Sequence, residues 1–357
     1  MTASARSLSA PTPALGILIV LGSAALFGAL GPLSRFAYDA GMDPAAFVAW
    51  RALIGLAGLV AFIAWRHRSA GVPVVRPWQL SMRSRRTLLI AALMGFNLNL
   101  SMFIAFDRIT VALALLGFYT YPALVAVANI ALGRERLDAS RALALGLAVV
   151  GMLLVVASQL DTSGAIRFDA FGFGLALGAA VSQTIFVIVS RDGFPEVPAE
   201  QAMAVVLAIT VVGGLVLALV SAPLGSIAFP LLTPSILPLL LVAGIVAAAI
   251  PSIGFLTGIR TIGGTRAGIL MLFEPVVGVA LAAWLLDEAL HPVQVLGAAA
   301  ILGAALVLQR AARVEPPPTA RAGHRRAPGQ RRADRPDARL RPAGQARAAE
   351  PDGAAPL

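Results

Sequence analysis

A chain of 357 residues that is 58% hydrophobic and only 13% charged cannot cover its own surface with polar groups, so lipid is its expected solvent. The net charge of +10 comes from 28 basic residues that are all arginine, and the absence of lysine excludes a Walker A loop and a lysine Schiff base. Cysteine is absent and histidine is confined to His67, His291 and His324, which excludes disulfides, thiol nucleophiles and a zincin motif and leaves too few ligands for a histidine metal cage. No catalytic residue, metal or cofactor is expected.

The first apolar stretch, 14–37, follows a short N-terminal segment (1–13). It runs through Pro32 to Arg35 without a good cleavage site and reads as a membrane span rather than a signal peptide. Nine more apolar runs follow, at about 44–65, 87–106, 110–132, 137–158, 170–190, 200–221, 235–259, 265–286 and 292–308. Each is roughly twice the length of a barrel strand and apolar all round, so the expected fold is an all-α bundle of ten transmembrane helices. The arginines set its orientation. With the N-terminus in the cytoplasm, the inner loops hold Arg66, Arg68, Arg76, Arg83, Arg85, Arg86, Arg134, Arg136, Arg141, Arg191, Arg260 and Arg266. The outer loops hold Arg35, Arg108 and Arg167 among seven acids. Both termini are therefore expected inside, in a multi-pass protein of the cell membrane. From 311 onward the chain turns to Arg, Pro, Ala and Gly. This tail, 311–357, is expected to be disordered and cytoplasmic, and it lacks the aromatic residues that would stack on nucleic acid.

Two segments repeat at a constant offset of 153 residues: Ile109, Ala114, Pro122, Leu132, Glu135 and Leu137 match Ile262, Ala267, Pro275, Leu285, Glu288 and Leu290. Each half, 14–158 and 170–310, would hold five spans. That number is odd, so the second half would enter the membrane inverted relative to the first. Inverted repeats are an architecture of secondary transporters, with the site near the midplane between the halves.

Polar groups within spans are costly unless partnered or facing water, which makes them candidates for a substrate site. Asn97 and Asn99 lie in the third span, Tyr119 and Tyr121 in the fourth, Gln183 in the sixth and Ser252 in the eighth. The repeat offset aligns Asn99 with Ser252. For each, a hydrogen bond between helices is the competing reading. Glu274 is the carboxylate placed well inside a span. Proton coupling, the grip of a cationic substrate, a neutral hydrogen-bonded carboxyl and an arginine pair are all open to it. Pro32, Pro122, Pro251 and Pro275 are expected to break their helices and free carbonyls that line a polar cavity or merely fit the bundle.

The order of Tyr121-Pro122, Glu135-Arg136-Leu137, Gly146 and Gly151, echoed by Glu274-Pro275-Val276, Glu288-Ala289-Leu290, Gly297 and Gly303, resembles the EamA-type members of the drug/metabolite transporter superfamily, as does Trp50-Arg51 in the second span. The second half is two residues shorter between Glu288 and Gly297 than the first between Glu135 and Gly146. The resemblance covers about 14–310. It implies alternating-access transport of a small organic metabolite, most readily export of amino acids, related metabolites or toxic compounds. It also implies a central cavity lined in part by spans 1, 3, 4, 6, 8 and 9. The competing readings are a membrane enzyme, which would need a paired catalytic constellation, and a non-transporting scaffold. Substrate identity, coupling ion and oligomeric state are not legible.

Overall fold

The computed structural model describes residues 12–109, 111–134, 138–157, 169–221, 224–285 and 292–314. The tail expected after 311 falls almost wholly outside them, as do Glu135 and Glu288.

Helix α1 (Pro13–Gly28) begins where the Thr12 hydroxyl accepts from the Leu15 amide at 3.4 Å, with proline in the first turn, where its missing amide hydrogen costs nothing. The chain breaks at Ala29 and resumes as α2 (Leu30–Asp39). Helices α3 (Pro44–Ala70) and α4 (Met82–Arg108) overrun their expected spans. Arg66, Arg68, Arg83, Arg85 and Arg86 therefore sit on helical extensions rather than in a loop. Arginine is a good helix former, and Ser81 caps α4 by accepting from the Ser84 amide at 3.1 Å.

Next come α5 (Val111–Phe118), α6 (Tyr121–Ala131), α7 (Ala139–Ala157), α8 (Ala170–Asp192) and α9 (Ala199–Ser221). Asp169 caps α8 and pairs with Arg108 at 3.3 Å. Desolvation opposes ionisation there, but the Gly172 amide, the Arg108 guanidinium and the Phe171 amide hold its carboxyl below the usual aspartate range. A helix that the apolar pattern does not announce, α10 (Leu224–Leu232), precedes α11 (Leu237–Leu241), a π-helical run (Val242–Ala249) and α12 (Ile250–Ile262). The rest is α13 (Gly264–Met271), α14 (Glu274–Leu285) and α15 (Pro292–Val314). No strand occurs among the described residues.

Six stretches are long and apolar enough to cross a membrane: Pro13–Asp39, Ala46–Ala70, Ala114–Ala131, Ala170–Asp192, Ala199–Val220 and Pro234–Ile262. Ala139–Val155 and Pro292–Leu308 are apolar but shorter. The other two expected spans carry their polar load inside: α4 begins with three arginines and holds Asn97, Asn99 and Ser101, and α13 holds Arg266 beside the α13–α14 break. The surface is rich in large apolar side chains, among them Leu18, Val60, Val127, Val212, Leu296 and Trp284, as lipid contact requires.

The most extensive helix contacts all join one half of the chain to the other: α7 with α15, α4 with α8, α3 with α9, α1 with α12, and α6 with α13. The halves interdigitate and share one core, in which Ile17, Val20, Val125, Leu256 and Leu270 are fully enclosed. Apart from α6–α13, whose exchange counterpart α5–α14 is not among these contacts, the scheme is unchanged when the halves are exchanged: α7–α15 and α3–α9 map onto themselves, and the pair α1–α12 becomes the pair α8–α4. Where α7 and α15 cross, a Cβ at Gly151 would lie 2.5 Å from the Gly297 carbonyl oxygen, and one at Gly297 would lie 2.5 Å from that of Gly151. Glycine alone permits that approach.

Candidate functional site

Each of the four prolines singled out in the sequence lies just after an interruption. Pro32 follows the break at Ala29, Pro122 the turn at Tyr119–Thr120, Pro251 the π-helical run, and Pro275 the turn at Leu272–Phe273. Lacking an amide hydrogen, a proline leaves the carbonyl four residues back without its helical partner. The turns at 119–120 and 272–273 are separated by the repeat offset of 153, so the two halves break at equivalent points.

Three of these breaks converge. Gly28, at the end of α1, lies so close to α14 that a Cβ there would sit 2.7 Å from the Glu274 carbonyl oxygen. A Cβ at Gly268 of α13 would lie 3.5 Å from both Pro122 and the Tyr121 ring. Glu274 opens α14 at this junction, partly buried, with the Tyr119 hydroxyl within electrostatic range of its carboxyl. Tyr119 and Tyr121 are each only 2% exposed, and the Phe118 ring packs on both with centroids 5.3 Å and 5.2 Å away. Tyr121 lies within electrostatic range of the carboxyl and holds the repeat position that Glu274 holds in the second half. Of the partners open to Glu274 in the sequence, the structure supplies a tyrosine. No arginine pairs with it among the described residues.

The remaining candidates do not join this cluster. Asn97 donates to the Ser182 hydroxyl at 2.8 Å, tying α4 to α8. Asn99 donates to the Gly95 carbonyl at 2.8 Å and accepts from Arg51 Nη2 at 3.4 Å. Ser252, its repeat counterpart, donates to the Ala248 carbonyl of its own helix at 2.7 Å, so the matched pair does not share partners. Gln183 is half-buried and makes no hydrogen bond with another described residue.

The sequence marks Asn129 as a polar group of the fourth span but not its partner, and two further sets of residues were not read for what they do. Arg51 entered only as part of a family pattern, although a cation seven residues into an apolar helix is itself a signal. The buried pair of Asn129 and Thr265, at 3.2 Å, links α6 to α13. Arg260 and Arg266, read as loop residues, lie in helices, and Arg266 is only 8% exposed. Arg260 spreads its guanidinium over the turn between α8 and α9. It donates to the carbonyls of Val197 at 2.8 Å, Phe194 at 3.2 Å and Ser190 at 3.4 Å, and it stacks 5.0 Å from the Phe194 ring. The Thr87 hydroxyl donates to Gly193 in the same turn at 2.6 Å, and Arg66 pairs with Glu200 beside it. Gln201 holds the segment after α3 through Pro73 and Val75, each at 2.9 Å. These bonds tie α3, α4, α8, α9 and α12 together at one end of the bundle.

On the other side of Tyr119 an apolar cavity of about 290 Å³ is lined by Leu116, Thr120, Ala123, Val149, Met152, Leu153 and Phe173. No group of three His, Cys, Asp or Glu that could hold a metal occurs among the described residues.

The sequence profile of the EamA-like transporter family matches residues 14–157 and again 170–310. No curated protein matches the chain. A crystal structure of another protein shares the fold, with a TM-score of 0.65 and 20% identity over 84% of this chain and 99% of that one. An all-helical chain with six membrane-capable stretches and two family matches that together span most of its length is a multi-pass membrane protein for moving small molecules, and it belongs to the EamA-like transporter family.

Proposed function

We propose that this chain is a gradient-driven exporter of a small organic solute in the cell membrane, working by alternating access between two inverted five-helix halves with both termini in the cytoplasm. The carrying observation is the convergence of three helix breaks on Glu274 and Tyr119 where the halves meet. Broken helices leave backbone carbonyls that a cavity can use, and a short broken segment can change course without unfolding the whole span. On this reading the ten helical runs are the ten spans, with α7 and α15 as the shortest, and Asn97, Asn99, Gln183 and Ser252 border the route around the central carboxyl.

A coupled carrier needs a group that binds ion or substrate differently in its two states. Glu274 is the candidate, because lysine and cysteine are absent, the spans expected from the sequence hold no histidine, and His67 lies exposed in the last turn of α3. Tyr119 holds the carboxyl in the closed arrangement, and an incoming proton or cationic group would replace that hydroxyl as its partner. The test is uptake of candidate metabolites into proteoliposomes under an imposed proton gradient. Glu274→Gln keeps the shape and removes the titration, so it is expected to abolish uphill accumulation while sparing exchange. Normal accumulation by the variant across the working pH range would make Glu274 structural.

A further inference from the structure

Arg51 sits in the second turn of α3, inside the membrane-capable stretch Ala46–Ala70. A cation withdrawn from water needs a compensating charge, and an uncompensated one is strongly destabilising. Among the described residues none supplies it: no carboxylate pairs with Arg51, and its electrostatic neighbour is the phenol of Tyr38. Among the described residues it donates to a neutral amide oxygen, Asn99 Oδ1, at a long 3.4 Å, and its enclosed Nε finds no hydrogen-bond partner.

The surroundings hold this group firmly. A Cβ at Gly244, in the π-helical run, would come within 2.8 Å of the Arg51 carbonyl oxygen, so the backbone at Arg51 is backed tightly by the other half of the chain. The neighbouring Trp50 is fixed by donating its indole N–H to the Ile227 carbonyl at 2.8 Å. Asn99 also borders a small internal void lined by Val48, Phe96, Leu100 and Thr210, with room of about 10 Å³, enough for roughly one water. The half-buried guanidinium is thus pre-positioned and under-satisfied at its enclosed Nε edge.

We propose that Arg51 is an anion-gripping point of the transport route and that the solute carries a carboxylate, which takes the open Nε edge of the guanidinium when the halves part. This rests on the transport reading above. A planar guanidinium fork matches a carboxylate in a two-point contact. Among the described residues no second cation lies beside Arg51, and a single cation suits a monoanion better than a phosphate dianion. Binding would supply the charge that the fold withholds, so the solute would stabilise the open subsite.

The test uses the purified full-length protein in dodecyl maltoside at fixed chloride, with thermal unfolding followed in the presence of benzoate, lactate or acetate and, separately, of the matching amides. At least one acid is expected to raise the midpoint by about 2 °C or more while its amide does not. Arg51→Gln is expected to lose that response while its unliganded midpoint stays or rises, because the variant no longer holds an uncompensated charge. Should Arg51→Gln fail to fold, Arg51→Lys keeps the charge without the fork and is expected to respond less than the native chain. The proposal is overturned if no acid shifts the midpoint, if amides act as well as acids, if Arg51→Lys responds in full, or if phosphatidylglycerol alone stabilises through Arg51. Proteoliposome flux separates this from the parent reading. A chain that moves amide and acid equally well remains a transporter without this subsite, and one that binds acids through Arg51 but moves nothing keeps the subsite and loses the transport role.

Discussion

Arg260 and Glu274 show two ways in which a charged side chain is used in this fold. Arg260 satisfies three main-chain carbonyls of one turn and lies over an aromatic ring, so it acts as a fastener. Removing it takes that donor from the Ser190 and Val197 carbonyls, while the Phe194 carbonyl keeps the Val197 amide at 3.1 Å. Arg260→Met is expected to cost about 2 kcal/mol, read as a lowered unfolding midpoint in detergent, and Arg260→Lys to recover only part of it because an ammonium cannot span three carbonyls at once. A native midpoint in Arg260→Met would mean that Thr87 and the turn's own backbone hydrogen bonds suffice to hold the connection between α8 and α9. Of the two residues, only Glu274 was legible beforehand. A carboxylate within an apolar run stands out, whereas an arginine near a span end looks like an ordinary loop charge, and which carbonyls it reaches depends on a turn seventy residues away. Arg51 was discounted for a related reason: its neighbour Asn99 belongs to another helix, and no spacing in the sequence reveals that its Nε is left over.

Helix existence could be read from the apolar runs, and the breaks from the prolines, because both follow from local chemistry. The π-helical run could not, since an extra residue per turn leaves the same apolar pattern on a helix that is apolar all round. Helix α10 was missed because it is short and bounded by prolines and glycine, which read as a loop. The glycines of the last helix in each half were visible as a pattern, but their use was not: they meet each other. Gly151→Ala would place a methyl group against the backbone of α15, where no side chain can move aside. The expected loss is about 1–3 kcal/mol, with α7 and α15 displaced, measurable by unfolding in detergent. Gly146, with open space around it, serves as the control and is expected to accept alanine without loss.

For the molecule as a whole, arginine asymmetry and the repeat offset led to a two-half bundle. The family match over 14–157 and 170–310 and the exchange-symmetric helix pairing agree with that division. Membrane orientation is open to direct measurement. Reporters fused after Arg68 and after Arg310 are expected to read cytoplasmic, and one after Ser221 external. An external reading at Arg310 would mean an odd number of crossings and would remove the inverted relation between the halves. What the sequence did not reveal is how thoroughly the halves are threaded through one another, because periodicity describes a helix face and says nothing about which distant helix covers it.

That threading has a consequence for how the protein is made. Synthesis runs from the N-terminus, so the first five helices enter the bilayer before any of their main partners exists. Until α8 arrives, Asn97 has no Ser182; until α13 arrives, Asn129 has no Thr265; and α7 has no glycine surface to close upon. The half-made chain is therefore not a finished domain awaiting a twin. It is a loose set of helices carrying unmet polar groups in lipid, the kind of species that membrane chaperones hold and membrane proteases remove. The second half completes the first as it emerges, and the last helix to leave the ribosome, α15, is the one that closes the seam with α7.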